Sequence, residues 1–124
     1  MSMHTSKKTF YIKIAGVSFD NTDGTSRQQI ISQLKIGDKL APRSEPDNPY
    51  DPNAVAIYSE HGQIGYIPRD QAPIFKSFLD MAEMPEDETL VEATFWVLEI
   101  RGGTNGYKFG VVMRAVFMIY SRED

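Results

Sequence analysis

The sequence predicts one mostly β domain with two short helices, an α+β fold arranged as a small antiparallel β-barrel. Six or seven short segments are rich in β-branched and aromatic residues, and only two segments have helical spacing. The strands do not alternate regularly with helices, as they would in a parallel sheet. A sheet of this size leaves exposed edges, and closure into a barrel removes them.

The first predicted strand covers residues 9–17, in which apolar and polar side chains alternate. Thr25 or Ser26 then caps a short helix, and Gln28 and Gln29 stand three residues later in capping-box position. The apolar stripe of that helix consists of Ile30, Ile31 and Leu34.

The rest of the chain is predicted to contain five strands and one helix. The strands are at 39–43, 54–59, 64–67, 90–101 and 107–120, and the helix is at 71–82. The buried face of that helix is predicted to be Ile74, Phe75, Phe78 and Leu79. The last two strands flank a glycine-rich turn at 102–106 and form the longest hairpin. Trp96 is predicted to belong to the core.

The composition bounds the class of protein. A chain of 124 residues with 41% apolar residues forms one domain and needs neither a disulfide nor a metal for stability. The lack of cysteine excludes disulfides, thiolate metal sites and a cysteine nucleophile. No apolar run approaches the ~20 residues that span a bilayer, and the start of the chain lacks a signal-peptide pattern. We expect a soluble, cytoplasmic protein that does not bind a membrane.

The limits of the domain follow from where the strand pattern starts and ends. Residues 1–8 are expected to form a flexible N-terminal tail, and residues 122–124 a C-terminal tail. The single domain is predicted to cover residues 9–121.

The net charge of −4 argues against nucleic-acid binding, which normally involves a basic surface. Six acidic residues and no basic one fall between Asp80 and Glu92. The remaining chain has 13 basic and 17 − 6 = 11 acidic residues, a balance of +2. Charge alone therefore leaves open both a local basic groove and an ordinary acidic cytosolic protein.

Segment 45–55, Glu-Pro-Asp-Asn-Pro-Tyr-Asp-Pro-Asn-Ala-Val, is predicted to be a stiff loop. Its three prolines fix φ and push each preceding residue out of the helical region. Asn48, Asp51 and Asn53 can each hydrogen-bond the nearby backbone in Asx turns.

Tyr50 is the large side chain of this loop, and two interpretations are open for it. It can pack inward while the polar residues stabilise the turn. Alternatively, the stiff loop presents Tyr50 as a stacking platform, which contributes ~1–3 kcal/mol per base. Asp51 beside it would repel phosphate but can accept a hydrogen bond from a sugar hydroxyl. This second interpretation favours a strand end over a continuous backbone.

Four motifs follow one another in a set order along the chain. They are Ala-Gly-Val-Ser-Phe at 15–19, Gly-Asp-Lys-Leu at 37–40, the loop at 45–55 and Gln-Ile-Gly-Tyr-Ile-Pro-Arg at 63–69. In this order they resemble the HIRAN domain family, over roughly residues 9–80. Members occur at the N-terminus of some SNF2-type DNA translocases, such as helicase-like transcription factor, and as small free-standing bacterial proteins.

The resemblance implies an OB-like β-barrel that binds single-stranded DNA, in the best-understood members at a free 3′-hydroxyl end. By position, Tyr50 stacks on a terminal base and Asp51 meets the 3′-hydroxyl, with Asn48 nearby. Tyr66 and Arg69 fall where the family contacts phosphate. The family can have a histidine at the position of Tyr66. Here the phosphate contact would instead involve the neutral hydroxyl of a tyrosine.

The last hairpin and the first strand supply the remaining candidates. Tyr107 is the nearest counterpart of the aromatic that the last hairpin adds to the base pocket, and Lys13 and Lys108 extend the groove. DNA-end-binding members have a basic residue and aromatics where Ile12, Lys13 and Ile14 stand here. One stacking wall is therefore missing, and we expect weaker binding or a changed ligand.

No enzyme, cofactor or metal site is expected. The two histidines, His4 and His61, lie in the expected tail and in a hairpin turn, where neither suggests a catalytic triad. Asp47 and Asp51 lack the spacing of an EF-hand loop. The glycine-rich turn at 102–106 lacks the Lys-Ser/Thr pair and the following helix of a phosphate-binding loop.

The favoured hypothesis is a non-enzymatic single-stranded DNA-binding domain that recognises 3′-hydroxyl ends in DNA repair, replication or defence. A helicase or a nuclease is its expected protein partner. The alternative is a protein–protein interaction module that grips its partner with the loop at 45–55, since tyrosine is also enriched at protein-binding hot spots.

Overall fold

The structure, a computed structural model, describes residues 2–123. Its elements follow the chain in the order β1 (Ser2–Lys13), α1 (Arg27–Ile31), β2 (Ala41–Ser44), β3 (Val55–Ser59), β4 (Gly62–Tyr66), α2 (Ala72–Glu83), β5 (Thr89–Arg101) and β6 (Gly110–Glu123). The predicted class, mostly β with two short helices, is confirmed. No helix among these residues is long and apolar enough to cross a membrane.

The strands form two separate three-stranded antiparallel sheets. In the first sheet β6 lies between β1 and β5, and in the second β3 lies between β2 and β4. The strands of the first sheet have 12 to 14 residues and those of the second only 4 or 5. The hydrogen-bond ladder of one sheet does not continue into the other.

Two isolated bridges join the sheets at their edges. Ala15, just after β1, and Tyr66, at the end of β4, each donate an N–H to the other's carbonyl, at N···O distances of 2.8 and 2.9 Å. At the other edge, Lys39 pairs with Trp96. The predicted barrel is therefore present only loosely: the sheets meet at two corners and are not closed.

The core is formed by the inner faces of both sheets and by both helices. Its centre is an aromatic cluster with ring centroids 5.3–6.1 Å apart, made of Phe10, Phe75, Phe78, Phe95 and Phe117.

Two side chains that were predicted to be buried are not buried. The buried stripe of α2 passes through Ala72, Phe75 and Leu79, which leaves Ile74 exposed. Trp96 is only half-buried. Because neighbours in a strand face opposite sides, the inward direction of residues 95 and 97 turns Trp96 outward.

Helix α1 is shorter than predicted. Ser26 caps it, since the Gln29 N–H donates to Ser26 Oγ at 3.2 Å, and the helix ends at Ile31. Gln28 has a different role from the predicted capping box. Its side chain donates to the carbonyls of Val17 and Phe109, at 2.9 and 3.1 Å, and accepts from the Phe109 N–H at 2.8 Å. Gln28 thus links α1 to the chain after β1 and to the chain before β6.

Strand β1 starts earlier than predicted and ends at Lys13. Residues 2–8, expected in a flexible tail, pair with β6 from Ser2↔Glu123 to Lys8↔Phe117. The long β6 offers unpaired backbone groups along this whole stretch, which explains the extension. Residues 122 and 123, also expected in a tail, belong to the same ladder. Residues 1 and 124 lie outside the described residues.

Candidate functional site

The loop at 45–55 connects β2 to β3, and its ends are held together. The Glu45 N–H donates to the Ala54 carbonyl at 2.9 Å. Between these ends, three prolines restrict the backbone, at positions 46, 49 and 52. The predicted stiffness therefore has a basis at both ends of the loop.

Side chains of the loop satisfy its own backbone. Asn48 Oδ1 accepts from the N–H groups of Tyr50 and Asp51 at 2.9 and 3.1 Å. Asn48 Nδ2 donates to Glu45 Oε1 at 3.0 Å. Asp51 Oδ1 accepts from the Asn53 N–H at 2.9 Å. Both ends of the Asn48 amide are thus engaged within the loop, where they fix the direction of Tyr50.

Tyr50 is 85% exposed. A ring that packed inward would be buried, so the predicted inward packing of Tyr50 is wrong, although the polar residues do stabilise the turn. Asp51 is half-buried beside it, and both residues line the same cleft. The loop therefore presents an aromatic ring and a carboxylate side by side.

An open cleft of about 930 Å³ lies beside the loop. Its walls come from the loop, from the chain after β1, from α1 and from the end of β4. The aromatic and charged side chains that define its walls include Phe19, Arg27, Glu45, Tyr50, Tyr66 and Arg69.

Tyr66, the last residue of β4, connects the wall of the cleft to the loop. Its hydroxyl donates to Glu45 Oε1 at 2.9 Å. Burial raises the pKa of Tyr66 above its ordinary value, and the hydrogen bond to the Glu45 carboxylate raises it further. Tyr66 is therefore a neutral donor whose hydroxyl already donates its hydrogen bond to Glu45.

Arg27 is a buried cation in the cleft wall, with 8% of its surface exposed. Its Nε donates to Asn21 Oδ1 at 2.7 Å and its Nη1 to the Gly16 carbonyl at 2.8 Å. The guanidinium also lies 5.4 Å from the ring centroid of Tyr66. A Cβ at Gly16 would stand 3.1 Å from Nη1, so glycine allows the guanidinium to approach this backbone.

Arg69 is an exposed cation on the rim of the cleft. One Nη donates to the Tyr50 carbonyl at 3.3 Å, which places the guanidinium against the loop backbone at Tyr50. With Arg27 it supplies two positive charges, against the three carboxylates of Glu45, Asp47 and Asp51. The cleft is thus of mixed charge and not a uniformly basic groove.

Three of the predicted site residues lie elsewhere. Lys13, Tyr107 and Lys108 line a second cleft, of about 350 Å³, at the base of the last hairpin. The segment at 15–17 separates the two clefts, because Ala15 lines the first and Val17 the second. Tyr107 was predicted to begin the last strand, but β6 begins only at Gly110, so Tyr107 lies in the hairpin loop. The structure therefore divides the predicted site into two parts.

A sequence model of the HIRAN domain matches residues 7–95, well over half of the chain. The chain belongs to the HIRAN domain family. The matched range includes every residue that lines the first cleft, from Ala15 to Arg69. It excludes β6, which begins at Gly110.

Two solved structures are similar to this HIRAN domain in fold. The HIRAN domain of human HLTF superposes with a TM-score of 0.58 and 16% identity, over 96% of this chain and 81% of that chain. A protein from Lactobacillus plantarum superposes with a TM-score of 0.61 and 15% identity, over 91% of this chain and 98% of that chain. Identities this low establish the fold alone. No curated protein sequence matches the chain.

Two residues of the first cleft were missed by sequence reasoning. Arg27 precedes Ile30 and Ile31 by three and four residues, so helical spacing places it on their buried face, a signal that was available. Phe19 lies in a turn, in which its N–H donates to the Gly16 carbonyl at 3.2 Å, and its side chain is 68% exposed. Nothing in the spacing of a turn residue shows which cleft it lines.

The part of this HIRAN domain that the structure describes offers no visible metal site. Within residues 2–123, no group of three or more histidine, aspartate or glutamate side chains converges as a metal site would require. Two carboxylates of the cleft accept hydrogen bonds from neighbouring donors, Glu45 from Asn48 and Tyr66, and Asp51 from the Asn53 N–H.

Proposed function

We propose that this HIRAN domain binds single-stranded DNA and recognises the 3′-hydroxyl end of a strand in the cleft beside the loop at 45–55. The observation that carries the proposal is an exposed Tyr50 next to the Asp51 carboxylate on a loop held by its own hydrogen bonds. Membership of the HIRAN family supports nucleic-acid binding as the class of function.

Tyr50 is proposed to stack on the terminal base. Its backbone N–H is held by Asn48, so the loop loses little further conformational freedom when a base binds. Stacking of a base on an aromatic side chain contributes about 1–3 kcal/mol and tolerates any base. The proposed role of Asn48 is therefore to position the stacking residue.

Asp51 is proposed to accept a hydrogen bond from the 3′-hydroxyl. A carboxylate repels a phosphate group, which continues the chain at every internal sugar, but it accepts a hydrogen bond from the free hydroxyl of the last sugar. The three carboxylates of the cleft therefore favour a strand end over an internal segment.

Arg69 and Tyr66 are proposed to contact the phosphate that precedes the terminal sugar. Arg69 is exposed beside Tyr50 and can form charge-assisted hydrogen bonds. Tyr66 must turn its proton away from Glu45 to donate to phosphate, which makes Arg69 the stronger contact. The second cleft is proposed to contact nucleotides on the 5′ side of the bound end, through Lys13, Tyr107 and Lys108.

The wider setting extends the same proposal. We infer a non-enzymatic, cytoplasmic role in DNA repair, replication or defence, next to a helicase or a nuclease that acts on the bound end. The support for this setting is the family resemblance and not the geometry of the cleft.

Fluorescence anisotropy with short single-stranded oligonucleotides tests the proposal. The expected result is tighter binding of a 3′-hydroxyl end than of a 3′-phosphate end, because the added charge faces Asp51. Equal affinity for both ends would remove the claim of end recognition. A lack of binding to either at low salt would remove DNA as the ligand.

Variants of Tyr50 test its role in the same assay. Tyr50→Ala is expected to weaken binding about ten-fold or more, through loss of stacking. Tyr50→Phe keeps the ring and is the matched control, with affinity close to that of the wild type. Since Tyr50 is 85% exposed, neither change disturbs the core. An unchanged affinity of Tyr50→Ala would place the base elsewhere.

A second candidate function is protein recognition by the loop at 45–55. The observation that favours it is the excess of carboxylates in the cleft, three against two guanidinium groups, which suits a basic peptide. Ionic strength and DNA ends separate the two candidates. DNA affinity falls steeply with salt through counterion release, and only the DNA proposal predicts a dependence on the 3′ end.

A further inference from the structure

The solvent side of the first sheet carries a surface that the first cleft does not include. We call it the outer face: the outward side chains of β1 from Lys7 to Lys13, their register partners in β6 and β5, and two adjoining residues, Arg101 of β5 and Lys39, which bridges to Trp96. Ile12, Met113 and Val97 form an inward row and are buried, whereas Tyr11, one residue before Ile12, is 61% exposed. This alternation separates the outer face from the core.

One row of the outer face combines aromatic rings with cations. Tyr11 pairs with Arg114, Arg114 with Trp96, and Trp96 with Lys39 across the isolated bridge. Residues opposite one another in antiparallel pairs project to the same side of a sheet. The row therefore places a tyrosine, an arginine, a tryptophan and a lysine next to one another.

Arg114 is held between the two rings. Its guanidinium carbon lies 5.7 Å from the ring centroid of Tyr11 and 5.3 Å from that of Trp96. Its Nε is buried without a hydrogen-bond partner, and no carboxylate of the described residues forms an ion pair with it. A guanidinium fixed in this way loses little rotational freedom when an anion binds.

The charge of the outer face is opposite to that of the whole chain. Its basic side chains are Lys7, Lys13, Lys39, Arg101 and Arg114, and its acidic side chains are Glu92 and Glu99. Five basic minus two acidic residues leaves +3, in a chain of net charge −4. Glu99 is already paired with Arg101 at 2.8 Å. An anionic partner therefore matches this face.

We propose that the outer face is a second binding surface for single-stranded nucleic acid, one that contacts internal nucleotides and needs no strand end. Arg114 pairs with a backbone phosphate, and Tyr11 stacks on a neighbouring base. The exposed ring of Tyr11 and the half-exposed ring of Trp96, with cations beside them, suit a nucleic-acid strand, in which bases and phosphates alternate, better than an acidic peptide, which lacks the bases. The inference shares its class of ligand with the proposed function; its surface is distinct from the first cleft and meets the second cleft at Lys13 and Arg101.

A covalently closed circular oligonucleotide of thymidine isolates this surface, because a circle has no 3′ end for the first cleft. The expected result is measurable anisotropy at low salt, with Tyr50→Ala equal to the wild type. Arg114→Gln is expected to weaken binding about ten-fold, as a charged hydrogen bond is lost. The magnitude of the slope of log affinity against log salt is expected to fall by about 1, which corresponds to the loss of one phosphate contact.

Variants of Tyr11 keep the test valid if Arg114→Gln folds poorly, because Tyr11 is exposed and its ring can be removed without a cavity. Tyr11→Ala is expected to weaken binding of the circle about ten-fold, and Tyr11→Phe to preserve it. Thermal unfolding of each variant verifies that it is folded at the assay temperature.

Three outcomes would overturn the inference. They are no binding of the circle by the wild type, binding by folded Arg114→Gln and Tyr11→Ala variants at wild-type affinity, and displacement of the circle by polyglutamate as effectively as by unlabelled circle. The last outcome would assign the face to an acidic protein. None of them affects the preference of the first cleft for linear 3′-hydroxyl ends, so the two proposals fail independently.

Discussion

At the scale of single residues, the cleft depends on side chains that meet from distant parts of the chain. Glu45 accepts from both the Asn48 amide and the Tyr66 hydroxyl, which couples the loop to β4. Arg27 in turn lies against the Tyr66 ring. A change at Glu45 is therefore felt by the loop and by the wall of the cleft together.

Burial of Tyr66, together with its hydrogen bond to Glu45, raises the pKa of this phenol and predicts a late ionisation. The raised pKa means that the folded state holds the proton more tightly than the unfolded state does. The stabilising contribution is complete below the ordinary tyrosine pKa of about 10 and is lost as the pH rises through the folded value. The wild-type ultraviolet titration minus that of Tyr66→Phe isolates Tyr66, with a midpoint expected above the ordinary value. A midpoint at or below that value would contradict the burial of Tyr66 in the cleft wall and its contact with Glu45.

Phe19 offers a test of whether the cleft has a second aromatic wall. The sequence places Ile12, Lys13 and Ile14 where DNA-end-binding members have a basic residue and aromatics, and the structure places an exposed Phe19 on the same cleft as Tyr50. Phe19→Ala is expected to weaken binding of a 3′-hydroxyl oligonucleotide by about 1 kcal/mol or more, measured by anisotropy. Phe19→Tyr keeps the ring and should retain the affinity. Wild-type binding by Phe19→Ala would exclude it from the site.

The sequence placed Tyr50 and Asp51 together because they are adjacent and stiffened by local residues. Arg27 was within reach of the same reasoning through its helical spacing. Phe19 was not, because the direction of a side chain in a turn depends on tertiary contacts. The separation of Tyr107 from Tyr50 was also unreadable, since it depends on how the last hairpin packs.

At the scale of elements, local chemistry decided where most strands and helices lie. The hairpin at 55–66 and helix α2 closely follow the predicted segments, because proline and glycine mark their ends. Strand β1 departs from the prediction, since its polar first half is stabilised by β6 and not by its own pattern.

Helix α1 is too short to be stable alone, so its position depends on the Gln28 side chain. Gln28→Ala removes three hydrogen bonds to the backbone of Val17 and Phe109, which line the second cleft. The expected loss is about 1–3 kcal/mol in the free energy of unfolding, because buried backbone groups lose their partners.

Chemical denaturation measures this loss, and Gln29→Ala is the matched control. Gln29 is exposed on the same helix, and its backbone N–H, not its side chain, donates to Ser26. We expect the control to change stability by less than about 0.5 kcal/mol. Equal effects of the two substitutions would show that Gln28 does not link these elements.

At the scale of the whole molecule, the fold depends on two corners where the sheets meet. The class of fold followed from strand content, but the corners are single bridges between residues far apart in sequence. No repeating pattern marks a single bridge, so the sequence could not distinguish a closed barrel from two sheets in contact.

Gly65 tests the corner between Ala15 and Tyr66. A Cβ at Gly65 would overlap the backbone carbonyl oxygen of Ala15, which accepts from Tyr66. Gly65→Ala is expected to destabilise the fold by about 1–3 kcal/mol or more, measured by thermal or chemical unfolding. Gly110→Ala is the control, because a Cβ there meets no atom within 4 Å. A Gly65→Ala variant as stable as the control would mean that the corner is not rigid.

The corner at Ala15 also brings the first cleft together, since the chain after β1 and the end of β4 form two of its walls. The proposed function depends on Asp51, which in this cleft accepts a hydrogen bond from the terminal hydroxyl. The most direct measurement compares oligonucleotides that end in a 3′-hydroxyl or in a 2′,3′-dideoxy sugar, which differ by that hydroxyl without a change of charge. Wild-type protein is predicted to bind the hydroxyl end about ten-fold more tightly, and Asp51→Ala to show no preference. Equal affinity of the wild-type protein for the two ends would contradict the claim.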